Sequence, residues 1–205
     1  MAPEAAIRWG SVGPLLLIAL AIMGSPGPAT ISLVAVGSTY GVRRSLPYLA
    51  GIVAGTIVVL VAVASGITAA ILAVPAVGSA LTAISAAYIL WLAYRVATAP
   101  PLSETTAPAG PPPSLAGGVF LGVANPKAWV AIAAVFASAH LAGAAATDAA
   151  VKTVVLTATI GLICSSWLAA GTSLAPLLRD PRRARLVNGV LAAALVGATV
   201  LAVVR

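Results

Sequence analysis

From Leu46 to Ala97 the chain is apolar almost without interruption. One helical crossing of a bilayer takes about 20 apolar residues. The stretch is too long for a single crossing, so it must fold back on itself. The rest of the chain cannot bury that surface in water: of 205 residues, 61% are apolar and 7% charged, against about 25% charged in soluble domains. Mean hydropathy is +1.11 and the mass 20.1 kDa. Eleven basic and four acidic side chains cannot cover such a globule. A water-soluble enzyme is thereby excluded, and residues 1–205 are expected to form one polytopic membrane domain.

The other apolar runs are Ser11 to Val36, Leu115 to Leu141, Val151 to Leu174 and Leu186 to Val204. The first is interrupted by Gly24-Ser25-Pro26-Gly27-Pro28, which cannot continue a regular helix because each proline removes a donor and crowds the preceding turn. Arg8 followed by an apolar stretch and small residues has the look of a signal peptide. Apolar character resumes after Pro28, however, and the prolines suit a cleavage site badly. Pro75, Gly78 and Ser79 are the expected turn within the long stretch, giving spans near 46–72 and 76–97. The proline-rich residues 98–114 read as a flexible linker. Beyond it the plan repeats, with a break at Asn125-Pro126-Lys127 and an Arg-rich loop over 175–185.

The fold class expected is therefore an all-α membrane protein of six transmembrane helices, three in residues 11–97 and three in 115–205. The first and fourth helices are broken at proline. Three crossings per half is odd, so any repeat is inverted; Pro26 corresponds with Pro126, and Pro75 with Pro176, at an offset near one hundred. Paired broken helices point to a transporter site near the midplane.

The net charge of +7 sits in short loops and serves orientation and lipid headgroups. No basic stripe interleaved with aromatics exists to hold nucleic acid. Arg43, Arg44, Arg95, Arg179, Arg182, Arg183 and Arg185 share one face, against Arg8, Lys152 and Arg205 on the other. The positive-inside rule places the first group in the cytoplasm and both termini outside. Trp and Tyr near the span ends form an interfacial belt. Glycines spaced by four (Gly37/Gly41, Gly51/Gly55, Gly118/Gly122) serve helix packing within the chain, a homodimer contact or solute passage.

Reactive chemistry is sparse. Glu4, Glu104, Asp148 and Asp180 read as loop or terminal residues, and His140 as interfacial. The single Cys164 allows no disulfide and no two-thiol electron relay. No metal-ligand cluster, cofactor motif or nucleophile–base set can be assembled within the membrane. Lys127 lies well inside its apolar run. Its partner is the lipid headgroups, backbone carbonyls freed by Pro126, or the carboxylate of a bound solute. Arg43 either sets loop orientation or belongs to the solute site.

The order Pro26-Gly27-Pro28, Gly37-x3-Gly41-x-Arg43, Gly51-x3-Gly55, then Ala87-Tyr88-Ile89-Leu90-Trp91-Leu92, Asn125-Pro126-Lys127-Ala128 and Arg183 to Gly197 resembles the lysine exporter (LysE/RhtB) family. The likeness runs over nearly the whole chain. It implies a secondary transporter in the bacterial inner membrane that exports amino acids or related small metabolites, driven by the proton-motive force. Two positions depart from the family pattern: Thr56 stands where an acid is common, and Ser45 where a glycine is. The lost acid counts against a cationic substrate. Solute-binding candidates are Pro26, Gly27, Pro28, Arg43, Thr56, Asn125, Pro126 and Lys127. The competing function is a membrane scaffold or accessory factor of an envelope pathway.

Overall fold

The computed structural model describes residues 6–66, 75–99, 111–174, 176 and 180–204. Among these residues it contains seven α-helices: α1 (Val12–Met23), α2 (Pro28–Ala64), α3 (Pro75–Ala97), α4 (Leu115–Ala124), α5 (Pro126–Ala137), α6 (Ala145–Ser173) and α7 (Pro181–Val204). Helices α2 and α6 are each long and apolar enough to cross a membrane. The pair α4 and α5, bent by 60° at Asn125, makes a third crossing if counted as one.

Four helices begin on a proline. A first helical residue has no intrahelical use for its N–H, and the fixed φ of proline is already helical. The turn expected at Pro75, Gly78 and Ser79 is not found: α3 is helical through all three. Helix α2 already ends at Ala64, followed by Gly66 at φ 76°. Residues 67–72 of the expected 46–72 span lie outside the described residues, as do 100–110 of the linker.

The expected loop over 37–45 contracts to one residue. Helical structure runs through it except at Gly41, whose φ of 72° and ψ of 174° belong to a region open essentially to glycine alone. Ser45, fully buried, donates its hydroxyl to Gly41 O at 2.6 Å and reaches Val36 O at 3.3 Å, clasping the corner. Arg95 at the end of α3 donates to the Tyr40 hydroxyl and to Pro111 O.

Gly41 divides α2 into two limbs with different neighbours. A Cβ on Gly37 would lie 2.8 Å from Leu168 O, and one on Gly171 would strike Val34, so residues 28–40 pack on α6. Gly51 and Gly55 face Gly118 and Gly122 backbone to backbone, so residues 42–64 pack on α4. Such close approach is what small residues at that spacing provide in lipid. These glycines are used inside the chain. Helix α1 packs on α5 and α6, and α3 on α7.

Three boundaries in the second half also move. Helix α5 stops at Ala137, leaving His140 in the connection to α6. Helix α6 starts at Ala145 rather than near Val151, which carries Asp148 into its first turn. Helix α7 starts at Pro181, because the Asp180 carboxylate accepts from the N–H groups of Arg182 and Arg183, each at 2.9 Å. Those bonds, Arg183 first, hold the Asp180 carboxyl below its usual range. Arg182, Arg183 and Arg185 thus belong to the helix and not to the expected loop.

Candidate functional site at the junction of two helix breaks

In an apolar medium each unpaired carbonyl or N–H costs several kcal/mol, so a broken helix must find partners for the groups it frees. At the first break Ile22 O accepts from Ser25 Oγ at 2.7 Å. Gly24 O accepts from the Trp167 indole at 3.2 Å. Gly27 and Thr30 close a reciprocal cap at 2.9 and 3.0 Å. Two further carbonyls, those of Ser25 and Pro26, are met from the other half of the chain. Lys127 Nζ donates to Ser25 O, to Ser25 Oγ at 2.9 Å and to Pro26 O at 3.2 Å.

The second break is organised in the same way. Asn125, at ψ 107°, holds the extended backbone favoured before proline. Its side-chain oxygen accepts from Lys127 N at 3.1 Å. Val123 O, which would otherwise have taken that N–H, accepts from the Trp129 indole at 2.7 Å. Lys127 therefore does bond to backbone carbonyls, but to those of the first break; the carbonyl freed beside Pro126 belongs to Trp129. What stays open is the first turn of α2, whose leading N–H groups have no intrahelical acceptor.

The two breaks enclose a cavity of about 60 Å³, room for a handful of small heavy atoms. Lys127, Gly27, Asn125 and Thr56 line it, joined by Ala29 and Thr30 of the α2 start. The opposite wall is apolar: Ile52, Ile132, Ile160 and Ile163, with Cys164 beside them. Pro26, Pro28 and Pro126 shape the breaks without lining the cavity. Arg43 is exposed beside the Gly41 corner and does not line it either. Thr56 Oγ1 donates to Ile52 O at 2.8 Å within its own helix. Gly27 has a specific steric role, since a Cβ there would lie 2.7 Å from Lys127 Cδ.

Two features escaped the sequence reading. Trp129 and Trp167 look like interfacial belt residues, yet both act as carbonyl partners at the breaks. The nearness of Trp129 to Pro126 is a signal available in the sequence; Trp167 carries none. The second is an ion pair inside α6. Asp148 and Lys152 bond at 2.7 Å, and Lys152 is 2% exposed. Lys152 also donates to Phe136 O at 2.8 Å, at the end of α5. Asp148 accepts from the N–H groups of Leu141 and Ala142, and His140 Nδ1 lies 3.8 Å from it. The cluster fastens the α5–α6 connection. Asp148 is accordingly a helix residue rather than a loop acid, and Lys152 is not a free loop charge. Among the described residues no group of His, Cys, Asp and Glu could hold a metal ion.

The LysE type translocator model matches residues 20–205, both breaks included. The chain belongs to that family. It is a membrane protein of a translocator family rather than an enzyme. It is also 36% identical, over 85 residues, to the cysteine/O-acetylserine efflux proteins of Salmonella choleraesuis (strain SC-B67) and Salmonella typhimurium (strain LT2). The Salmonella typhi protein of the same name shows the same identity. Each match covers 41% of this chain and 43% of the relative, so the aligned stretch spans less than half of either protein. No solved structure matches this chain.

Proposed function

We propose that this translocator exports small amino acids or closely related metabolites from the bacterial cytoplasm, with the cavity between the two breaks as its solute site. The observation that carries the reading is Lys127. It is a full positive charge held at the wall of a cavity by neutral carbonyls, beside the positive end of a half-helix. A solute carboxylate fits there, between Lys127, the α2 N-terminus and Asn125. Gly27 makes room for the lysine stem. Pro26, Pro28 and Pro126 hold the broken geometry. Thr56 faces the solute from the second limb of α2. Arg43 serves orientation at the corner. The printed names of the Salmonella relatives support amino-acid efflux as the direction and class of transport.

The chain lies in the inner membrane with six crossings and both termini outside. Helices α3 and α7, of 23 and 24 residues, are long enough for a hydrocarbon core of about 30 Å. With Lys152 paired inside α6, the basic bias toward the cytoplasmic face strengthens. The inverted repeat rests on the paired breaks, at Pro26 to Pro28 and at Asn125 to Lys127, and on the odd number of crossings in each half. Glycine contacts make two close-packed pairs, residues 42–64 with α4 and residues 28–40 with α6. Gly41 and Asn125 are the joints between them. Alternating access follows from one pair hinging against the other, with the cavity at the interface. The proton-motive force drives it. A homodimer would draw on lipid-facing side chains rather than on these glycines.

The test is efflux from cells loaded with a serine- or alanine-containing dipeptide. Cells overproducing the chain should release the free amino acid faster than vector controls. Equal retention would overturn the exporter reading and favour the scaffold or accessory role.

A further inference from the structure

The cavity recognises one end of an amino acid and neglects the other. Resting on the solute site proposed above, we infer that it selects for a carboxylate and provides no counter-charge for an α-ammonium, so that short 2-hydroxy monocarboxylates occupy it at least as well as short neutral amino acids.

Lys127 is the one ionised side chain along the wall, and no carboxylate lines it among the described residues. The three N–H donors of an ammonium match the three acceptors Lys127 meets, Ser25 O, Ser25 Oγ and Pro26 O. Those acceptors satisfy its hydrogen bonds and cancel none of its charge. The neighbouring polar groups are donors as well. The first N–H groups of α2, at Ala29 and Thr30, point out of a helix N-terminus, and the amide nitrogen of Asn125 remains after its oxygen has capped Lys127 N. Every one of them favours negative charge.

Acceptors for an ammonium are scarce by comparison. Thr30 Oγ1 is engaged with both Gly27 N and Gly27 O, and Thr56 Oγ1 is tied to Ile52 O. An α-ammonium carried into this cavity therefore loses water, faces Lys127 and meets no carboxylate among the described residues. A zwitterion is attracted through its carboxylate and repelled through its ammonium, whereas a 2-hydroxy acid keeps only the attraction. The isoleucine wall suits a short uncharged side chain, whereas the second ammonium of a lysine would meet hydrocarbon there.

The test uses the purified full chain and the heating midpoint of its helical circular-dichroism signal. A ligand that binds only the folded state raises that midpoint. The probes are L-serine, L-lactate, L-alaninamide and L-lysine, each with the wild type and with Lys127→Gln. The expected result is stabilisation by lactate at a concentration no higher than serine requires, none by alaninamide or lysine, and loss of all stabilisation in Lys127→Gln. Stabilisation by serine without lactate would overturn the inference while leaving the export reading intact. Stabilisation by alaninamide would overturn the carboxylate preference. If no probe stabilises the wild type, the solute site itself is wrong and the inference goes with it.

Discussion

Gly118→Ala tests the backbone-to-backbone contact between α2 and α4. A Cβ at that position would strike Tyr48 O and lie 2.9 Å from Ile52 N and 3.0 Å from Gly51 Cα. All three are backbone atoms, so no side chain can rotate aside and α2 must move away from α4. A separation of 0.5–1 Å gives up roughly a quarter to a half of each dispersion contact across the interface, and overpacking of this kind costs about 1–3 kcal/mol. Replacing a helical glycine by alanine returns up to about 1 kcal/mol of helix propensity. The net loss expected is about 1–2 kcal/mol. At roughly 2–4 °C per kcal/mol for a chain of this size, the midpoint falls by about 2–8 °C. The chain supplies its own reporter in Cys164, its single cysteine, which is buried. Gly161→Ala is the control, because nothing lies within 4 Å of its added methyl, and it should melt at or above the wild-type temperature. Equal midpoints for the two variants would refute the glycine-to-glycine packing of α2 on α4.

Trp129→Phe keeps the ring but leaves Val123 O without its donor; about 1–2 kcal/mol of stability should be lost, and an unchanged melt would show that another group pairs that carbonyl. Gly41→Ala forces a side chain into the corner conformation and should cost about 1–3 kcal/mol, well beyond Gly161→Ala in the same melt. Ser103→Cys in a Cys164→Ser background should resist impermeant thiol reagents in intact cells; labelling from outside would reverse the orientation.

The sequence made the breaks legible because proline and glycine act locally: the interruptions over 24–28 and 125–127 stand where expected. Their relation was less legible. Lys127 is visibly out of place in an apolar run, but that its partners are Ser25 and Pro26 depends on how α5 docks against α1, which no local signal carries. Proline is ambiguous in a sequence, as at Pro75, since the residue breaks a helix interior and begins a helix equally well. Asp148 reads as a loop acid because the apolar run begins only at Val151, three residues after it. Once α6 begins at Ala145, Asp148 and Lys152 share one face at i,i+4 spacing.

The central claim is that the positive charge of Lys127, at the meeting of the two breaks, holds the solute's carboxylate during transport. Efflux of a small neutral amino acid from dipeptide-loaded cells, compared among wild type, Lys127→Arg and Lys127→Gln at matched membrane levels and matched melting midpoints, tests it directly. The account predicts that Lys127→Gln loses export by at least about tenfold, a change of 1.4 kcal/mol, while Lys127→Arg retains part of it. Export by Lys127→Gln at the wild-type rate would contradict it.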